Sequence, residues 1–199
     1  MGAGIGLGLN SGASFIVVYD LISENWRVLR NSELRDKLRA ARIRATALLH
    51  NLGVLCTESV ILVSGERREE IERAISEINA IYGSVLSEVE RALGVEFPRP
   101  VIRVLRLDQE QYNAFRELAE RRLRETLDAN IDRVSSLVER LEDLRGSANI
   151  RNLLASLRKL KREWLRIKNN VIALGIPLEE DINYLVEMID SAIHAVREG

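Results

Sequence analysis

The run FIVVYD at Phe15 to Asp20 is the segment that most narrows the folds open to this chain. It is apolar, rich in β-branched residues and closed by a carboxylate, which reads as a strand whose last side chain reaches the rim of a sheet. That strand excludes an all-helical bundle. It also opens an alternation of strand and helix signals that runs as far as Leu107.

Asn31 to Leu52 carries Leu34, Leu38, Ala41, Ala45, Leu48 and Leu49 at helical spacing. Asn31 or Ser32 serves as its cap, Glu33 and Asp36 fall in its first turn, and Gly53 ends it. Val54 to Val63, VLCTESVILV, is β-rich, but its polar centre at Thr57 and Glu58 predicts a bend or bulge that splits it into two short strands. Glu66 to Leu93 sets Ile71, Ile75, Ile78, Ile81, Val85 and Val89 on one helical stripe, closed by Gly94 and the Pro98/Pro100 pair. Val101 to Leu107, VIRVLRL, alternates imperfectly with Arg103 and Arg106, as an edge strand with a partly wet face does. This order predicts a ferredoxin-like split-βαβ sheet domain over 15–107, with both helices on one face of the sheet.

Beyond Asp108 the strand signals stop. Tyr112, Phe115, Ala119, Leu123, Leu127, Ile131, Val134, Leu137, Leu141 and Leu144 hold one helical register, which predicts a helix from Asp108 to Leu144 about 55 Å long. After a turn at Gly146 to Asn149, helices are expected from Ile150 to Leu174 and from Leu178 to Val196. The fold class is therefore α+β, a sheet domain followed by a three-helix antiparallel subdomain over 108–199. The open face of such a sheet must be covered by the long helix or by a second subunit. Residues 1–14, MGAGIGLGLNSGAS, read as a flexible glycine-rich leader. They do not read as a phosphate loop, which would follow a strand and open a helix.

The net charge of −1 gives no global pull toward nucleic acid or membrane, so any such binding must come from local patches. The single Cys56 excludes an internal disulfide and a cysteine-based zinc site. No apolar run approaches the roughly 20 residues that span a bilayer, and a cytoplasmic protein without membrane contact is expected. Abundant arginine, with charges of both signs interleaved along the helices, suits a thermophile.

Val17-Val18-Tyr19-Asp20, Leu49 to Gly53, and Glu58-Ser59-Val60-Ile61-Leu62-Val63 give the span from Phe15 to Leu107 a resemblance to a group of small ferredoxin-like proteins. That group includes the second CRISPR-associated adaptation protein and the amino-terminal domain of chromate-resistance regulators. The resemblance to the CRISPR group implies a dimer and places Asp20 where a nuclease would hold a metal. The arginine-rich turn after that Asp is echoed by Arg27 and Arg30. The resemblance to the chromate regulators, which also continue into helical sequence, implies metal-responsive control of transcription without chemistry.

Read for its own chemistry, Asp20 is either a ligand for a magnesium-class ion, paired with its copy across a two-fold axis, or the cap of a turn through the Ser23 or Asn25 amides. Glu58 interrupts an apolar strand and could approach it from a neighbouring strand, or is explained equally well by a bend or an arginine partner. His50 and His194 are isolated from each other and sit near helix carboxyl ends, and Cys56 reads as a small buried hydrophobe. Two basic stretches remain. The first is Arg35, Arg39 and Arg42, with Lys37 and Arg44 nearby. The second is Arg151, Arg158, Lys159, Lys161, Arg162, Arg166 and Lys168, opposed in its own helix only by Glu163. This second cluster either meets phosphates, with Trp164 stacking on a base, or pairs with Glu179, Glu180, Asp181, Glu187 and Asp190 of the last helix around a core Trp164.

The leading expectation is a non-enzymatic, nucleic-acid-associated protein, a DNA-binding regulator and homodimer that uses no cofactor. It would contact phosphates through Arg158, Lys159, Lys161, Arg162, Arg166 and Lys168. One alternative is a nuclease in which Mg2+ is held at Asp20. The other is an assembly protein whose long helix makes the subunit contacts.

Overall fold

The computed structural model describes residues 14–21, 31–139 and 150–198, with backbone alone at 197 and 198. The strands are β1 (Phe15–Asp20), β2 (Val54–Thr57), β3 (Val60–Val63) and β4 (Val101–Arg106). The helices are α1 (Ser32–Leu52), α2 (Arg68–Leu93), α3 (Gln109–Glu139), α4 (Ile150–Ala173) and α5 (Glu179–Glu198), with a 3-10 turn at Gly65–Arg67. The fold is α+β and mostly helical, built on one antiparallel sheet in the order β2-β3-β1-β4. The expected glycine-rich leader, Ser23, Asn25, Arg27, Arg30, Leu141, Leu144 and the turn at Gly146 to Asn149 lie outside the described residues, Ser14 excepted.

Local chemistry accounts for the boundaries. Asn31 Oδ1 accepts from the Glu33 and Leu34 amides at 2.9 and 3.3 Å, so two of the free donors at the start of α1 are satisfied by the residue before it. α3 opens on a reciprocal cap. The Gln111 amide donates to Asp108 Oδ1 at 2.9 Å, and the Asp108 amide donates to Gln111 Oε1 at 3.1 Å. α4 ends at Gly175, whose φ of +57° allows the Ile176 amide to reach Val171 O and its own amide to reach Ile172 O. The polar break at Thr57 and Glu58 is the turn of a β2–β3 hairpin, with a register shift between Leu55 and Thr57.

Strand alternation sorts the core into two layers. Val17, Tyr19, Ile61 and Val63 face α1 and α2, where they join Leu38, Ala45, Leu49, Ile78 and Leu86. Ile16, Val54, Cys56 and Leu62 face the other way, onto Ala119, Leu123 and Leu127 of α3 and a core that continues through Trp164, Val171, Ile182 and Ile189. The face left open by α1 and α2 is thus covered by α3, and one apolar cluster runs across the step from residue 107 to 108. At 31 residues and 1.5 Å each, α3 is about 46 Å long.

Gly53 lies where α1 meets β2. A Cβ there would sit 2.0 Å from the Leu62 carbonyl oxygen, so only glycine lets the end of the helix pass so close to β3. Beside it Asn170, at 5% exposure, donates from Nδ2 to Gly53 O at 3.1 Å and accepts at Oδ1 from Arg67 Nη1 at 2.6 Å. The same guanidinium nitrogen donates to Asn51 O and Leu52 O at 3.0 and 2.9 Å. One arginine from the 3-10 turn therefore caps the carboxyl end of α1 and ties it to α4.

Candidate nucleic-acid interface

α4 buries one side and presents the other. Leu157, Trp164, Asn170 and Val171 point inward, with Trp164 at 1% exposure. Trp164 is a core residue and has no face free for a base. At 100° per residue, Arg151, Arg158 and Arg162 fall within about 40° of one another on the opposite side, and Lys159 lies about 60° further round. All four are exposed. No hydrogen bond or ion pair joins any of the four to a described residue.

The remaining three cations of the expected phosphate-binding set are occupied within the chain. Lys161 Nζ lies 2.6 Å from both carboxylate oxygens of Asp190, and Lys168 Nζ lies 3.2 Å from Glu179 Oε1. Arg166 Nη1 donates to Asn51 Oδ1, across to the end of α1. Both sequence readings of this helix thus hold in part: Lys161 and Lys168 pair with the acidic α5, Arg166 bonds the neutral Asn51 amide, and the outer line meets no carboxylate among the described residues. Arg151 belongs to that line by its i, i+7 spacing to Arg158, a signal present in the sequence.

The other candidates are scattered. Asp20 is exposed at the end of β1, opposite Val101 of β4. Glu58 sits in the β2–β3 turn, where its carbonyl accepts from Tyr19 Oη at 2.8 Å. Because that hydroxyl hydrogen is committed to Glu58 O, the contact between Tyr19 Oη and His50 Nε2 at 3.1 Å has the ring nitrogen as donor. Burial, aided by Arg166 and Arg122 and opposed by Glu163, lowers the His50 pKa below its ordinary 6.5. This dyad joins α1 to β1 with a neutral imidazole, and sequence spacing alone gave no sign of it. His194 is exposed on α5. Burial pushes the Cys56 thiol up to about 11, and its Sγ–H donates weakly to Phe115 O at 3.5 Å. Such a thiol is no nucleophile at neutral pH. Among the described residues, no group of three or more His, Cys, Asp or Glu is placed to hold a metal ion.

The first basic stretch takes a different role from the second. Arg39 and Arg42 edge a hollow of about 340 Å3 over Leu38, Tyr82 and Phe97, so their charge borders an apolar recess and not a flat face. Lys37 is committed to Glu33 and Glu88 at 3.2 and 2.7 Å. No helix of the described residues is long and apolar enough to cross a membrane. No protein-family model, curated protein or solved structure matches the chain.

Proposed function

We propose that the protein is a non-enzymatic nucleic-acid-binding protein that grips the phosphate backbone along the outer line of α4. The observation that carries this reading is the juxtaposition of exposed Arg151, Arg158, Lys159 and Arg162 with no hydrogen-bond or ion-pair partner among the described residues, in a helix whose other cations are all engaged. In the same helix Lys161 and Lys168 are each balanced by a carboxylate of α5. Four that are not, lined up over a rigid helix, form a strip that a polyanion fits. The sheet reads as the ferredoxin-like split-βαβ arrangement, supported by β3 lying between β1 and β2 and by β1 lying between β3 and β4. On this reading the sheet and α5 are the support that holds α4 still.

The contacts are to phosphate and carry no base preference of their own. The test is fluorescence anisotropy with labelled duplex DNA, single-stranded DNA and RNA at low salt. Combined Arg158→Ala, Lys159→Ala and Arg162→Ala substitutions are expected to abolish binding, whereas Lys161→Ala with Lys168→Ala is expected to leave it within a factor of about three. Equal binding by the wild type and the triple variant would refute the assignment.

A further inference from the structure

The geometry points to β4 as the contact between two copies of this chain, paired antiparallel about a two-fold axis that passes through Val104. The inference stands apart from the reading of α4, because it rests only on the sheet.

β4 is the outermost strand and overhangs both helix layers. Val101 and Leu105, on the face shared with Ile16, are each 50% exposed, and Val104, on the face shared with Val17, is 38% exposed. A strand whose apolar side chains are wet on both faces is an edge that something else completes. Its backbone is aligned for that. The Leu107 amide bonds to Ser14 O at 2.9 Å, and the Tyr19 amide bonds to Ser59 O at 3.0 Å. Odd-numbered residues of β4 therefore turn their amides and carbonyls toward β1. Those of Ile102, Val104 and Arg106 point outward. Among the described residues, no strand takes them up.

The sequence of the edge selects the occupant and the register. A two-fold axis normal to the sheet keeps like faces together, so an antiparallel self-pairing must centre on a single residue. Centred on Arg103, it would set the two Arg103 guanidinium stems directly opposite each other, and Pro100 would face Arg106 without an amide to give. Centred on Leu105, it would keep only Val104 to Arg106 in strand overlap. Centred on Val104, it pairs Val104 with its own copy and Ile102 with Arg106, forming about six backbone hydrogen bonds. Arg103 then lies across from Leu105 and Arg106 across from Ile102, so each charged head reaches solvent over an apolar neighbour and no like charges face each other. A sheet of twice the strand number results, with the two Asp20 carboxylates roughly 25 Å apart at opposite ends. In this dimer the two copies of Asp20 do not form a shared metal site.

A six-residue edge is smaller than a standard interface, so the dissociation constant is expected on the order of 10 µM. Sedimentation equilibrium of the full chain from low to high micromolar concentration tests it. Val104→Pro removes only an outward amide, which leaves the bonds to β1 intact, and is expected to weaken the dimer at least about tenfold with an unchanged circular dichroism spectrum. In a Cys56→Ala background, Val104→Cys should cross-link to its copy on mild oxidation, since facing Cα atoms about 5.5 Å apart suit a disulfide. Arg103→Cys and Leu105→Cys should not, because each faces the other residue and not its own copy. A monomer at all concentrations, a dimer indifferent to Val104→Pro, or equal cross-linking at all three positions would overturn the inference.

Discussion

Replacing Asn170 with Leu removes a buried amide that joins α4 to the end of α1. The amide loses its donation to Gly53 O, worth about 1 kcal/mol, and leaves that carbonyl without the bond, which adds about 1 kcal/mol more. The loss at Arg67 is discounted to about 1 kcal/mol, because its guanidinium keeps Asn51 O, Leu52 O and Glu70 as acceptors and its side chain is 28% exposed. The expected cost is about 3 kcal/mol, or a fall in Tm of roughly 6–12 °C for a chain of this length. Urea unfolding followed by circular dichroism measures it, with an unchanged m-value showing that the folded state has kept its compactness. Arg67→Met is the companion variant, and the double variant should show about 1 kcal/mol of coupling between the two sites. A cost below about 0.5 kcal/mol for Asn170→Leu, or strict additivity of the two substitutions, would refute the claim that this polar knot holds the helical half to the sheet.

Gly53→Ala brings a methyl group 2.0 Å from a backbone oxygen that cannot turn aside, so a loss of at least about 3 kcal/mol is expected by the same unfolding assay. His50 has its pKa lowered in the folded state, so the unfolded chain binds the extra proton and stability rises with pH through the region below 6.5. Acidification from pH 7 to pH 5 should therefore destabilise the wild type more than His50→Gln; equal losses would mean that the ring is not held neutral. Cys56, buried with its thiol raised to about 11, should resist thiol reagents in the native protein and react at once in urea, and rapid native labelling would contradict its placement under α3.

Much of the frame was legible because local chemistry decides it. The β-branched run at Phe15 to Asp20, the polar break at Thr57 and Glu58, and the Asn31 cap each act within a few residues of themselves. Helix bounds followed for the same reason, to within a few residues at α2, α4 and α5. The cover of the open sheet face was narrower to state in advance than to choose. Ala119, Leu123 and Leu127 mark a buried stripe on α3, but nothing in their spacing says whether a sheet or a second subunit lies beneath it. Pairings across long sequence separations were out of reach. Arg67 finds Asn170 and Gly53 passes Leu62 only once the chain has folded. The basic cluster of α4 shows the consequence. Its cations were all visible, yet which found a partner depended on α5 and on Asn51, so a set of six resolves into an outer line of Arg158, Lys159 and Arg162, extended by Arg151, and an engaged set of Lys161 and Lys168, paired with carboxylates, and Arg166, bonded to a neutral amide.

The dependence of nucleic-acid affinity on salt tests the central claim most directly. Each phosphate met in duplex DNA contributes about −0.9 to the slope of log K against log salt concentration. If three to four cations of α4 carry the contact, the wild type should show a slope of roughly −2.7 to −3.6, and the Arg158, Lys159 and Arg162 triple-alanine variant, which keeps Arg151, a slope no steeper than about −1. A wild-type slope near zero, or the same steep slope in the triple variant, would contradict the account.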